Sequence, residues 1–209
     1  MKFLVTANQY ALVEKMLPVM ECLHKNNLIP IFELIADDYG VEAEAAEKAA
    51  AIISDMGITA PNIRKAMQLS RLSSTWKLEA RTVQNGPFVC TVELDDSEKH
   101  LLEKTLDAFS RIVMGQMHIL FEVLDMPENL RDNQHAVNMY HDVYWDGLHG
   151  AKEARDILFP SIKDFGWHGG YGIANKEVAE DARLAYQLNR VLCRNYVLPV
   201  TDEPIAQLA

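Results

Sequence analysis

The chain has 209 residues, 49% of them apolar and 24% charged, with a formal net charge of −10. This is ordinary composition for a protein able to bury a core, and the acidic balance disfavours a broad interface with duplex nucleic acid, because like charges repel. Cys22, Cys90 and Cys193 are odd in number and far apart, which argues against a disulfide framework and for buried thiols in a reducing compartment.

In chain order, "KFLVT" predicts a short strand or extended segment. The opening "MKFLVTANQY" holds only a three-residue apolar run, Phe3 to Val5, short for a signal peptide, and no stretch approaches the roughly 20 apolar residues of a membrane span. The expectation is a cytoplasmic protein with no membrane partner. From Gln9 to Lys25 the positions Leu12, Val13, Met16, Leu17, Met20 and Leu23 recur at helical spacing, with Pro18 expected to kink or end that helix. "IPIFELIADDYG" predicts a second helix closed by Gly40. "EAEAAEKAAAIISDMG" predicts a third, with Ala46, Ala49, Ala50 and Ile53 as its buried stripe and Gly57 as its stop. Pro61 suits the first turn of another helix.

The period then changes. "WKLEARTV" and "FVCTVEL" alternate apolar and polar around "QNGP", whose Asn85-Gly86 pair suits a hairpin turn. Asp95, Asp96 and Ser97 are N-cap candidates for a long helix, in which Leu102, Leu106, Phe109, Val113, Met117, Leu120 and Leu124 form a heptad-like seam of about 25 residues, broken at Pro127. That seam predicts a core helix and a homo-oligomer contact. "NLRDNQHAVNMYHDVYWDG" is less regular; a helix from about Asp146 to Leu158 follows, ending before Pro160. The glycines of "FGWHGGYG" predict a loop. Asn175 then caps a last helix with Glu177 and Glu180 in its first turn and Ala185, Leu188, Val191 and Leu192 on its apolar face. The expected fold is mainly α with a small β-hairpin (α+β): a helical unit over 1–72, hairpin plus helical core over 73–198, and a loose tail over 199–209.

Charge is unevenly spread. Between Glu33 and Asp55 there are seven acids and one lysine, whereas Pro61 to Gly86 carries Arg64, Lys65, Arg71, Lys77 and Arg81 against Glu79 alone. The basic segment could hold one small anion or simply form a solvated face. His135, His141 and His149, near Asp142, Asp146 and Glu153, lack the spacing of a metal site, and no cysteine pair has ligand spacing, so no metal and no cofactor is expected. No nucleophile elbow or phosphate loop is present, and no catalytic residue is assigned.

Polar residues on core-like helices are more informative. Arg111, Gly115 and Gln116 interrupt the long helix. Arg183 and Tyr186 are neighbours on the last one, with Arg190 and Arg194 further along. Buried arginines are often structural, tied to carboxylates and carbonyls. The functional alternative is a pocket in which guanidinium forks take a phosphate and Trp167, Tyr171 and Tyr186 face a ring, with His168 and the glycine backbone beside them.

The stretches "FVCTVELDDSEKHLLEKTLDAFSRIVMGQM" and "AKEARDILFPSIKDFGWHGGYGIANKEVAEDARLAYQLNRVLCR" resemble a family of small uncharacterised phage and prophage proteins. The family's "LDxYSRIxMGQ" pattern matches Ser110, Arg111, Ile112, Gly115 and Gln116. Its "YGI…ARxAY…VxR" pattern matches Tyr171, Gly172, Ile173, Ala182, Arg183, Ala185, Tyr186, Val191 and Arg194. This chain departs in "FGWHGG" and in its N-terminal helical unit. The resemblance implies a phage-encoded protein in the host cytoplasm. The expected function is sequestration of a small phosphorylated or nucleotide-like ligand, such as a host immune signal, through Arg111, Gln116, Trp167, His168, Tyr171, Arg183, Tyr186 and Arg194. The rival is an acidic module that inhibits a host protein; a hydrolase using His168 or the His141–Glu153 region ranks third.

Overall fold

Thr6 ends the first strand and starts the first helix in the computed structural model, which describes residues 2–79, 81–82, 90–128, 136–160, 173 and 175–194. After β1 (Lys2–Val5), the Thr6 hydroxyl accepts the Gln9 N–H at 3.2 Å while the Gln9 side-chain oxygen accepts the Thr6 N–H at 3.1 Å. This capping box satisfies two donors at once and launches α1 (Ala7–His24). The helix continues past the expected boundary at Pro18. Pro18 and Glu14 are both exposed, so the carbonyl that loses its partner is left to water.

Next come α2 (Ile29–Asp38) and α3 (Ala43–Asp55), followed at Gly40 and Gly57 by the positive φ angles, 64° and 62°, that end helices on glycine. The α3 stripe of Ala46, Ala49, Ala50 and Ile53 is buried as its spacing predicts. It packs on α7 (Ala136–Leu158), which begins well before the expected Asp146. Gly147 and Gly150 make that approach close. A Cβ on Gly147 would sit 2.6 Å from Cδ1 of Ile58, and one on Gly150 would run into the Met56 side chain.

Asn62 caps α4 (Ile63–Glu79) by accepting the Lys65 N–H at 2.9 Å, so Pro61 precedes the helix instead of lying in its first turn. "WKLE", expected as strand, is helical. Leu69, Leu72 and Trp76 recur at helical spacing and bury against α1, and that packing overrides a short alternation. Of the expected hairpin, the described residues show β2 (Arg81–Thr82) paired antiparallel with β3 (Cys90–Glu93); its Asn85-Gly86 turn lies outside the described residues. β1 adds to the other edge of β3, giving the order β1-β3-β2. The protein is thus mainly α with one small antiparallel sheet. The expected division at residue 72 falls inside α4, and one core runs from Val5 to Leu192 across it.

Asp95 and Glu98 form a second capping box at the start of α5 (Asp96–Val113). The seam expected to continue to Leu124 is cut here. Gly115, at φ 88°, lets its N–H reach the Ile112 carbonyl and the Gln116 N–H reach that of Arg111, both at 2.9 Å. That double bond pattern is a Schellman stop. A 3-10 turn (Met117–Ile119) and a single turn, α6 (Leu120–Val123), carry the remaining apolar residues back into the core. Leu102, Leu106, Phe109, Val113, Met117, Leu120 and Leu124 are all buried within the chain itself, so the seam is not available as the expected oligomer contact.

The last helix, α8 (Glu180–Arg194), lies antiparallel on α5. At one end Asn189 Nδ2 donates to the Glu103 carbonyl at 2.7 Å. At the other, the Tyr39 hydroxyl donates to the Val113 carbonyl at 2.8 Å and accepts the Ala179 N–H at 3.2 Å, so one phenol serves two helix ends. Asn175 caps a turn ahead of α8, taking the Glu177 N–H at 3.0 Å; the acidic first turn is Glu180 and Asp181. The "FGWHGG" loop and the 199–209 tail lie outside the described residues.

Candidate functional site

The end of α1, the start of α4, the middle of α5 and the α6 turn leave between them a cavity of about 590 Å³. Backbone bonds hold its walls. Ala60 and Asp125 exchange N–H···O bonds of 2.7 and 3.2 Å, and the Asn62 N–H donates to the His24 carbonyl at 2.7 Å. Met20, Ala108, Ile119 and Val123 supply its apolar lining. Lys104, Asp107 and Arg111, at steps of three and four on α5, share the face that turns to it. Lys65 comes from the first turn of α4, the basic segment whose charge imbalance suggested a small anion. The positive end of α4, capped by Asn62, opens beside it.

Two features distinguish this hollow from an ordinary surface groove. Among the described residues, neither the Lys65 nor the Lys104 ammonium has a carboxylate within ion-pairing distance. Burial, and then the charge on Lys104, hold Lys65 below the ordinary lysine value. His24 is 5% exposed and its Nδ1 is buried without a hydrogen-bond partner. Burial, then the nearby Lys65 charge, lowers His24 to about 4, with Asp125 opposing. His24 is therefore a neutral imidazole at neutral pH.

A second polar cluster lies apart from the cavity. Lys15 of α1 pairs with Asp181 of α8 at 2.8 Å. Asp38, with a buried Oδ2 that has no hydrogen-bond partner, is pushed up to about 6 by burial and by the charge of Asp181, against the pull of Lys15. The two perturbed groups oppose each other over nearly the same pH range. His24, lowered from 6.5, stabilises the fold fully above that value, and its contribution is lost as pH falls towards 4. Asp38, raised from 3.8, contributes below that value, and its contribution is lost as pH rises through about 6. The wild-type advantage over His24→Asn should thus shrink by up to about 3 kcal/mol between pH 6.5 and 4, at ~1.4 kcal/mol per pK unit. The advantage over Asp38→Asn should instead shrink by about 1–2 kcal/mol from pH 4 to 6, solvent screening reducing the full value. Urea denaturation of both variants across that range reads both slopes; slopes of equal sign contradict this assignment.

The residues singled out by sequence divide sharply. Arg111 and Gln116 meet: Arg111 Nε donates to Gln116 Oε1 at 2.9 Å, across the Schellman stop, and its Nη1 lies 3.8 Å from Asp107 Oδ2. Arg111 also lines the cavity. Arg183 does not; its Nη2 donates to the Asn175 carbonyl at 2.8 Å, and its buried Nε has no partner. Tyr186 is away from the cavity too, with the Arg190 guanidinium 5.9 Å from its ring centre. Arg111 and Arg183 therefore do not share this cavity. Trp167, His168 and Tyr171 lie outside the described residues, and Arg194 and His141 are described in backbone only. His149 and Glu153 are exposed on α7. Among the described residues no group of three or more His, Cys, Asp or Glu is placed to hold a metal, and no helix is long and apolar enough to cross a membrane.

His24, Lys104, Glu122 and Asp125 are site residues that sequence reasoning missed. The only local signal was a histidine at the end of the buried α1 stripe. Compared with known proteins, the chain matches no protein family, no curated protein and no solved structure.

Proposed function

We propose that the protein captures a small phosphorylated anion in the cavity between α1, α4 and α5, by binding and without turnover. The observation that carries this reading is the pair of ammonium groups, Lys65 and Lys104, facing one hollow without carboxylate partners among the described residues. Two cations held together repel, and a phosphate between them removes that repulsion. Arg111 adds a guanidinium on the same wall, with one of its five N–H donors committed to Gln116. The positive end of α4 favours the same charge. The phage setting, and a host immune signal as the captured molecule, rest on the motif resemblance alone.

Calorimetry with inorganic phosphate at low ionic strength tests the reading. Wild type should bind, and Lys65→Ala and Lys104→Ala should each weaken binding by about tenfold, the loss of one charge-assisted contact of roughly 1.4 kcal/mol. No heat from wild type, or variants indistinguishable from it, ends the proposal.

A second reading has its own observation. Glu33, Asp37, Glu42, Glu44, Glu47 and Asp55 are all exposed on and around α2 and α3, an acidic face suited to a basic host protein. Reversing Glu42, Glu44 and Glu47 to lysine would abolish partner capture on this reading and leave phosphate binding intact. The hydrolase alternative gains no support from the exposed positions of His149 and Glu153.

A further inference from the structure

We infer that the molecule held in this cavity is a phosphorylated sugar or polyol, whose hydroxyls are taken by His24, Glu122 and Asp125, and that no nucleobase is seated there. The inference rests on the anion reading above and adds the chemistry of the rest of the ligand. Its starting point is a mismatch. A bare anion has no use for Glu122 and Asp125, which line the same cavity as the lysines and would repel it. They become favourable only if the ligand also brings hydrogen-bond donors. Hydroxyl groups do this without adding charge.

His24 narrows the choice. It lies close enough to both Lys65 and Asp125 to feel their charges, it is nine-tenths buried, and its solvent-shielded Nδ1 has no hydrogen-bond partner among the described residues. At a single ring nitrogen a neutral imidazole either gives or takes one hydrogen bond, depending on its tautomer, and a hydroxyl can answer in either sense. An ammonium ligand could use the carboxylates but only one tautomer of such an imidazole, and it would sit against Lys65. A nucleobase fares no better. Among the described residues lining the cavity there is no Phe, Tyr or Trp on which a base could stack, and the apolar lining is Met20, Ala108, Ile119 and Val123. The volume, about 590 Å³, is within the range of small-molecule sites and leaves room beyond a phosphate.

Titration with inorganic phosphate, ribose 5-phosphate and adenosine 5′-monophosphate separates the contributions. Ribose 5-phosphate should bind about tenfold tighter than phosphate, one or two net hydrogen bonds. The adenosine compound should gain nothing over ribose 5-phosphate. His24→Leu should remove most of the advantage of ribose 5-phosphate over phosphate. Glu122→Gln, at an exposed position that folding tolerates, should do the same in part if the His24 variant does not fold. Phosphate binding without added affinity for the sugar, or a further tenfold gain from adenine, overturns this inference and leaves the anion site standing. Failure of phosphate and ribose 5-phosphate alike overturns both.

Discussion

Trp76→Ala is expected to cost about 3–5 kcal/mol, the largest loss of any single core truncation among the described residues. The indole is fully buried between α1 and α4 and stacks on Tyr10, with ring centres 5.7 Å apart and planes inclined by 18°. Its Nε1 donates to the Tyr10 carbonyl at 3.4 Å, so the indole fills space and also satisfies a backbone acceptor. Alanine leaves a cavity lined by side chains of two helices that are pinned elsewhere and cannot close over it. Thermal unfolding should move down by roughly 10 °C for a domain of this size. Trp76→Phe, which keeps the stack but loses the donor, should cost less than half as much. Equal losses for the two variants would mean that the aromatic stack contributes little.

The second large effect is asymmetric. Arg155 is 1% exposed, and its Nη2 and Nε donate to Asp156 Oδ1 at 2.9 and 3.2 Å. Asp156 also receives Lys152 Nζ at 2.7 Å. Asp156→Ala strips two bonds from a buried guanidinium that stays charged and keeps its other interactions, and should cost about 1–3 kcal/mol. Arg155→Met breaks those two bonds and the guanidinium's other interactions together, so it should cost clearly more. Urea denaturation of the two variants decides; the opposite ranking refutes the argument. Burial pushes the Asp156 carboxyl up, but the bonds from Lys152 and Arg155 outweigh it and hold the group below its ordinary value. Its contribution is therefore present above about pH 4 and lost as the solution is made more acidic.

These two sites show unequal degrees of legibility. Around Trp76 the sequence points to the wrong element, because "WKLEARTV" alternates as a strand does, and the α1 surface that rewards a helical period is far away in the chain. Arg155 attracted no notice. Its burial comes from α7 packing, and nothing in "AKEARDIL" distinguishes it from a surface arginine.

The positions of the first three helices, the buried stripes of α1 and α3, the acidic caps before α5 and the mainly α class could all be read from the amino-acid order. Each depends on residues within one or two turns of each other, where period, capping chemistry and glycine's freedom operate. Gly115 shows the margin. Its presence was noticed, but whether a glycine continues a helix or stops it depends on what the following turn can pack against, and here Met117, Leu120 and Leu124 gain more by turning back into the core. The cavity was decided by tertiary structure alone. His24, Lys65, Lys104, Arg111, Glu122 and Asp125 are drawn from separate segments, and no local rule couples a histidine at the end of α1 to an aspartate a hundred residues later. Arg111 stands out in sequence as a polar residue on a core helix and lines the cavity, whereas Arg183, expected beside it, donates to the Asn175 carbonyl where α8 is seated on α5. Short-range spacing determines which face of a helix a side chain occupies; only the packing of whole helices, driven by burial of their apolar stripes, determines which of those faces meet.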